Sequence, residues 1–304
     1  MRRRTLIATA VATVAAPAWA QTTKPENKET TRVTTATERM TVKSRDGSLI
    51  AYDKVGSGPV LIVVSGASQF RAINPNFAEI ARVLSDQFTV INYDRRGRGE
   101  SGDTPPYSVQ KEIDDIAALI AANGRRASVL GFSSGAVLAV EAAVAGLPID
   151  KVIAYEPPIA VEGSGRDTNW GNLIPRLDAA LANGDRREVT RIFFVEGVGL
   201  TPDAYEGMMK PPSGPGLEAI APTLIYDSRI VDAAYPGKQW PARYRTNKVP
   251  VLLLNGDKTF PFIPFGVDAL SKVLANSSRG TLAGQDHGPK PEAIAPAIRK
   301  FLGS

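Results

Sequence analysis

Short, mostly apolar runs alternate with amphipathic segments over most of the chain. Runs of this length and composition are typical of strands that are covered on both faces. The apolar runs occupy residues 60–64, 88–93, 127–132, 151–155 and 249–254. Between them, apolar residues recur at spacings of three and four, as at Val109, Ile113, Ile116 and Ile120, which predicts a helix with one buried face. Strands that alternate with helices predict an α/β fold with a mostly parallel central sheet flanked by helices.

The alternation changes in two places. Near the start, residues 40–44 and 49–55 flank an Arg-Asp-Gly-Ser segment, and an Asp-Gly turn between two such runs predicts a β-hairpin. Between about 159 and 248, aromatic residues, methionines, glycines and prolines are scattered among helical fragments. We expect this region to be a helical cap inserted into an α/β domain that covers residues 39–304.

The first twenty residues have the pattern of an export signal. Three arginines at positions 2–4 precede an apolar run at 6–16, and Ala-Trp-Ala at 18–20 matches a small-x-small cleavage site. The apolar run is too short to span a bilayer. Residues 21–38 are rich in Thr, Lys and Glu and are expected to form a flexible linker. The sequence therefore predicts a periplasmic or secreted protein without a stable membrane anchor, exported by either the Sec or the twin-arginine route.

Composition narrows the classes of function. Hydrophobic residues make up 43% and charged residues 22% of the 304 residues, as in a globular protein with a substantial core. The net charge of +5 includes three arginines of the predicted signal, so the rest of the chain carries 33 basic against 31 acidic residues. This balance does not favour nucleic-acid binding, which needs a concentrated basic patch. The chain has no cysteine, which excludes disulfides, thiol nucleophiles and thiolate metal sites.

A candidate nucleophile follows the run at 127–132. This run ends in Gly131-x-Ser133-x-Gly135, and a long apolar segment of helical composition begins at once. In such a strand–turn–helix setting the serine lies on a strained turn with its hydroxyl exposed, and the glycines allow the strand and helix to approach closely. The same five residues also occur in turns whose serine only caps the next helix. The flanking strand and helix favour the catalytic interpretation.

The candidate base is the one histidine of the chain, His287. It follows the last predicted strand, so it should lie at the same sheet edge as Ser133 and could take the serine proton. Two acids could orient it. Asp257 follows the strand that ends at residue 254 and gives the chain order Ser, Asp, His, whereas Glu156 follows the strand after the serine's helix. We favour Asp257 and keep Glu156 as the alternative. Asp286 ranks last because it adjoins His287 and would have to fold back on its neighbour.

An oxyanion that develops on the substrate needs backbone N–H donors. Ser134, directly after the candidate nucleophile, supplies one, and Ala67, in the loop after the run at 60–64, is expected to supply the other. A loop at 94–101 contains three arginines. Its glycines do not form a dinucleotide-binding pattern, so we expect a structural turn beside the site, with its arginines paired to carboxylates.

These motifs together resemble the α/β-hydrolase family over residues 40–302. The carriers of the resemblance are the Gly-Phe-Ser-Ser-Gly motif at 131–135, the Asp-Arg-Arg-Gly-Arg-Gly-Glu-Ser loop at 94–101, Ser65-Gly66 and the terminal Gly-x-x-His. The chain departs from the family in three places. Ser65 stands where His is usual, Phe132 precedes the nucleophile where relatives often have His, and Thr259 lies three residues after Gly256, where the acid is often found.

The resemblance implies a serine hydrolase that cleaves a carboxylic ester or a related acyl compound through an acyl-enzyme, without a metal or cofactor. Its partner would be a small-molecule substrate with an apolar acyl part held under the cap. Three other functions fit the same residues: a carbon–carbon bond hydrolase, a cofactor-free peroxidase, and a non-catalytic periplasmic protein that binds small molecules.

Overall fold

The computed structural model describes residues 37–303, so the predicted export signal and nearly all of the predicted linker lie outside the described residues. Eight strands form one sheet in the order β1-β2-β4-β3-β5-β6-β7-β8. The strands are β1 Glu38–Lys43, β2 Leu49–Val55, β3 Val60–Val64, β4 Thr89–Tyr93, β5 Ala127–Phe132, β6 Ile149–Tyr155, β7 Val251–Gly256 and β8 Ser277–Leu282. β1 and β2 form the expected antiparallel hairpin, β2 is antiparallel to β4, and the remaining pairs are parallel. The prediction of a mostly parallel sheet is confirmed.

Helices cover both faces of this sheet, because successive side chains of its buried strands point to opposite faces. Leu61 and Val63 of β3 face a cluster that contains α1 and α10, whereas Ile62 and Val64 face a cluster that contains α2, α3 and α9. These helices are α1 Pro75–Leu84, α2 Val109–Asn123, α3 Ser134–Val144, α9 Ile263–Val273 and α10 Pro291–Leu302. Within residues 37–303, no helix is long and apolar enough to cross a membrane.

A helical segment lies between β6 and β7, where the sequence predicts the cap. It consists of α4 Trp170–Ala182, α5 Arg186–Arg191, a π-helix at Ile192–Val198, α6 Pro202–Met208, α7 Ser213–Ala219 and α8 Ala221–Ala234, followed by short 3-10 turns at Pro236–Lys238 and Ala242–Thr246. α8 packs against α4 and α5 of the cap and also against α3 of the α/β core. It therefore joins the cap to the helix that follows Ser133.

The register of the central strands determines where the loops that follow them meet. Val64 of β3 pairs with Gly131 of β5, and Tyr155 of β6 pairs with both Phe132 of β5 and Leu254 of β7. The carboxyl ends of these four parallel strands are therefore level. The loops that follow them meet at one edge of the sheet, which is where α/β proteins bind their ligands.

The backbones of β5 and α3 approach closely at Gly131. A Cβ atom on Gly131 would lie 2.3 Å from the carbonyl oxygen of Gly135. We therefore expect Gly131→Ala to lower the free energy of unfolding by about 2–4 kcal/mol, because strand and helix must separate to admit the methyl group. Gly207→Ala is the matched control: nothing lies within 4 Å of a Cβ at this position in α6, and alanine should be neutral or stabilising by up to about 1 kcal/mol. Urea unfolding measures both variants, and equal losses would contradict the expectation.

Candidate active site

Ser133 occupies the strained turn that the sequence predicts. Its φ of 55° and ψ of −125° are unusual for a residue other than glycine and cost about 1–3 kcal/mol. Surrounding contacts hold the turn: the Ser133 N–H donates to the carbonyl of Tyr155 at 2.9 Å, and a Cβ on Gly135 would lie 2.4 Å from the carbonyl oxygen of Val64. The serine is thereby fixed at the sheet edge, between β5 and α3, and it lines a cavity.

His287 lies in the loop after β8 and lines the same cavity as Ser133. Its Nδ1 is 2.5 Å from Oε2 of Glu156. The structure thus places the alternative acid, Glu156, against the imidazole. Asp257, which the sequence favours, is exposed and accepts the N–H of Gly284 at 2.7 Å. In this geometry Asp257, the acid favoured from the sequence, does not contact the imidazole, and its carboxylate bonds the turn after β8 instead. Asp286 likewise bonds only locally, to the N–H of Gly288 at 2.9 Å.

Burial, backbone conformation and hydrogen bonds fix the carboxylate of Glu156 beside His287. It is fully buried and has a left-handed φ of 52° directly after β6. Oε1 accepts the N–H of Gly256 at 2.8 Å, and Oε2 accepts the hydroxyl of Thr259 at 2.6 Å as well as bonding His287. Thr259, where the resemblance to the family implies an acid, donates to Glu156 instead. Both carboxylate oxygens are satisfied, as a buried carboxylate requires.

Three further contacts fix the histidine loop. A Cβ on Gly256 would lie 2.0 Å from the carbonyl oxygen of Gln285, so a glycine is needed where β7 meets this loop. The Tyr155 hydroxyl donates to the carbonyl of Asp286. Phe260 meets the imidazole of His287 edge to face, with ring centroids 5.5 Å apart. The ring is therefore held by Glu156, by the fixed backbone that precedes it at residues 285–286 and by an aromatic neighbour.

The two predicted oxyanion donors also line the cavity. Within residues 37–303, the Ala67 N–H has no protein acceptor, and the Ser134 N–H is the first of α3, where helical N–H groups lack an internal partner. Arg98 Nη1 donates to the carbonyl of Gly66 at 2.8 Å. Because Gly66 O and Ala67 N–H belong to one trans peptide and point in opposite directions, this bond fixes the direction of the Ala67 N–H.

The arginines of the 94–101 loop are buried and paired with carboxylates, as predicted. Their partners are Glu112 and Asp227 for Arg95, Asp115 and Asp46 for Arg96, and Asp227 for Arg98. Bidentate geometry, as between Arg95 and Glu112 at 2.7 Å for both bonds, is among the strongest forms of ion pair. The loop is thus a structural support beneath the site.

Asp227 of α8 was not singled out from the sequence. It is buried, lines the cavity and accepts from Arg95 at 2.7 Å, from Arg98 and from the Ser134 hydroxyl at 2.7 Å. Burial alone would raise the pKa of Asp227, but the charges of Arg98 and Arg95 hold that pKa below its ordinary value. Asp227, a residue of the cap, therefore links the loop that carries Ala67, through Arg98, to the start of α3, through Ser134. In the sequence, Asp227 is indicated only indirectly, because the three arginines at 94–101 need acidic partners.

The cavity has a volume of about 270 Å³ and lies between the sheet edge and the cap. Its lining is mostly apolar: Phe77, Phe132, Pro158, Ala160, Trp170, Phe193, Phe194, Val198, Leu200, Val231, Phe260, Phe262 and Ile263. Most ligand sites combine such walls with a few polar groups. In the described range, no cluster of three or more His, Asp or Glu side chains could hold a metal ion.

Comparison with known proteins places this geometry in a family. The family model for the alpha/beta hydrolase family matches residues 61–297. The crystal structure of an alpha/beta hydrolase from Sphaerobacter thermophilus superposes with a TM-score of 0.77 at 42% identity, covering 86% of this chain and 100% of that one. Two curated relatives match over shorter segments. The uncharacterized hydrolase YraK of Bacillus subtilis is 34% identical over 99 residues, which are 31% of this chain and 35% of that protein.

The proline iminopeptidase PfmaB of Pestalotiopsis fici is 30% identical over 111 residues, which are 33% of this chain and 37% of that protein. The chain thus aligns with little more than a third of the length of either curated relative. The family match is far longer and contains the Ser133 turn, Glu156 and His287. By the extent of that match, and by a fold with the strand order and sheet-edge site described above, this chain belongs to the alpha/beta hydrolase family.

Proposed function

We propose that this protein is a serine hydrolase that cleaves carboxylic esters or related acyl compounds through an acyl-enzyme. The observation that carries the proposal is the convergence on one cavity of Ser133, on its strained turn, and His287, held through Nδ1 by buried Glu156. A serine with an oriented imidazole is the arrangement that activates a hydroxyl near neutral pH.

In the proposed mechanism, Oγ of Ser133 attacks the substrate carbonyl carbon while Nε2 of His287 takes the hydroxyl proton. The Ala67 and Ser134 N–H groups stabilise the oxyanion that forms. His287 then returns the proton to the leaving alcohol, and the acyl group remains on Ser133. A water molecule, deprotonated by His287, attacks the acyl-enzyme and releases the acid. Glu156 keeps the Nδ1 proton in place and stabilises the imidazolium in both halves.

The apolar cavity supports a small-molecule substrate with an apolar acyl part. Export to the periplasm or the cell exterior also belongs to this proposal, and it rests on the pattern of residues 1–20 alone. A carbon–carbon bond hydrolase, a cofactor-free peroxidase or a binding protein that has lost turnover would use the same scaffold. Turnover of a nitrophenyl ester separates an active serine hydrolase from the binding protein.

A fluorophosphonate probe tests the nucleophile directly. We expect one equivalent of adduct on the native protein, mapped by peptide mass spectrometry to Ser133 and not to Ser134 or Ser68, which line the same cavity. Heat-denatured protein should not react, because activation requires the oriented imidazole. Absence of an adduct at Ser133 in the native protein would favour the non-catalytic binding protein.

A further inference from the structure

Arg166 is a cation in the catalytic cavity that has no acidic partner. It lies between β6 and α4 and is, among the described lining residues, the one lysine or arginine. No carboxylate in residues 37–303 lies within ion-pair distance of it. The other acid–base groups nearby are matched: the one acid in the lining, Asp227, is bonded to Arg95 and Arg98. The unmatched charge in the cavity is therefore positive.

The guanidinium is held in a defined position. Its Nη2 donates to the carbonyl of Glu196, at 3.1 Å, and to that of Gly197, both at the end of the π-helix. Its Cζ lies 5.3 Å from the ring centre of Phe262. Gly199 has a left-handed φ of 90°, and a Cβ there would lie 1.6 Å from Nη1. The chain thus has a glycine at the position where a side chain would displace the guanidinium.

These contacts use only part of the hydrogen-bonding capacity of Arg166. A guanidinium has five N–H donors, and the two carbonyls engage Nη2. Within the described part of the chain, Nη1 and Nε have no protein acceptor. Burial lowers the pKa of Arg166, with no neighbouring charge to offset it. A half-buried cation whose remaining donors meet no protein acceptor is available to a ligand that carries negative charge.

The free donors and the histidine lie along one aromatic wall. Phe262, beneath the guanidinium, is 6.1 Å from Phe260, whose ring is 5.5 Å from that of His287. A ligand that reaches from the reacting carbonyl to Arg166 would therefore pass over apolar rings. Its far end would meet a planar, forked donor, and carboxylates match that geometry with two parallel hydrogen bonds.

We propose that Arg166 binds a carboxylate on the acyl part of the substrate, separated from the scissile carbonyl by an apolar spacer. This inference rests on the proposed function, since it assigns the substrate class of the same site. The preferred substrates would then be monoesters of dicarboxylic acids, or acyl compounds of the same charge and shape.

The kinetic test uses matched substrates. The first set contains 4-nitrophenyl monoesters of the dicarboxylic acids from succinic to suberic, and the second contains the same chains with the free carboxylate masked as a methyl ester. One of these substrates should have a chain long enough to reach from the scissile carbonyl along the aromatic wall to Arg166. For that substrate in its charged form, Arg166→Gln should lower kcat/KM by about 10- to 100-fold, which corresponds to the loss of a charge-assisted hydrogen bond. On the masked substrate it should change kcat/KM by less than about threefold, because Arg166 does not contact the reacting atoms.

Two control variants sharpen the comparison. Arg166→Lys keeps the charge but loses the fork, so it should retain more of the preference for charged substrates than Arg166→Gln. Arg245→Gln removes an exposed arginine outside the cavity lining and should leave both substrate sets unchanged. A loss on charged and masked substrates alike in Arg166→Gln would mean that Arg166 only caps the π-helix carbonyls, which overturns the proposal.

A binding test is independent of turnover. In a Ser133→Ala background, isothermal calorimetry compares 5-phenylvalerate with 5-phenylpentanol. We expect Arg166→Gln to weaken binding of the acid about tenfold or more and to leave the alcohol nearly unchanged. If no nitrophenyl substrate is hydrolysed but acid binding depends on Arg166, the hydrolase proposal fails and the carboxylate site stands. If both substrate sets are hydrolysed without any dependence on Arg166, the carboxylate site fails and the hydrolase stands.

Discussion

Ser133→Ala is expected to lower kcat on a short-chain nitrophenyl ester by about 10⁵- to 10⁶-fold, because it removes the only atom that forms the acyl-enzyme. The strained backbone remains in the variant, since it is fixed by the approach of α3 to β3 and β5 and not by the hydroxyl. Its free energy of unfolding should therefore change by less than about 1 kcal/mol. Stopped-flow release of nitrophenol and urea unfolding measure the two quantities.

Ser134→Ala is the matched control for this variant. It keeps the Ser134 N–H in the oxyanion site but removes the hydroxyl bond to Asp227. The remaining donors to Asp227 are Arg95 and Arg98, so we expect a loss in kcat of no more than about 100-fold. Comparable losses in the two serine variants, or a Ser133→Ala protein that keeps a nitrophenol burst, would contradict the assignment of Ser133 as nucleophile.

The second large effect is expected for Glu156→Gln, a fall in kcat of about 10³- to 10⁴-fold. The amide has the shape of the carboxylate but can present its NH₂ to Nδ1 of His287, which favours the wrong imidazole tautomer and cannot stabilise the imidazolium. Asp257→Asn keeps an oxygen that can accept the N–H of Gly284. We expect its kcat to stay within about threefold of that of the wild type, because Asp257 does not contact His287.

Thr259→Val provides a graded control for the acid. It removes one of the donors to Glu156 and leaves the carboxylate and its bond to His287 in place, so kcat should fall by about tenfold, between the two acid variants. The order of activities is then Asp257→Asn, Thr259→Val, Glu156→Gln. Reversal of the two acid variants on the same ester would show that Asp257, in solution, is the group that orients the imidazole.

The sheet and the nucleophile turn could be predicted because their signals are local. A strand covered on both faces needs a continuous apolar run. The close approach of α3 to β5 at Gly131, and of α3 to β3 at Gly135, needs glycine at both positions. The single histidine and its place after the last strand also followed directly from the sequence. These features depend on neighbours within a few residues, or on there being only one candidate.

The acid could not be decided from the sequence because two strands end in an acid at the same sheet edge. Chain order favoured Asp257, but the outcome depends on a threonine at 259 and on the left-handed backbone of Glu156, neither of which has a periodic signal. Asp227 and Arg166 were missed for a related reason. Both lie in or beside the cap, and the contacts of Asp227 span 93 residues to Ser134 and 132 to Arg95.

The position of Asp227 limits how this protein could be rebuilt. A chimera that received the cap of a relative would keep Arg95 and Arg98 in the core. Without an acid in register on the incoming helix, Arg98 would lose its carboxylate partner beside the candidate site, and Arg95 would keep Glu112 alone. Uncompensated buried charges of this kind cost several kcal/mol each. Exchange of substrate preference by transplanting caps should therefore succeed only when the arginine loop and the helix that carries its counter-ion are moved as a pair.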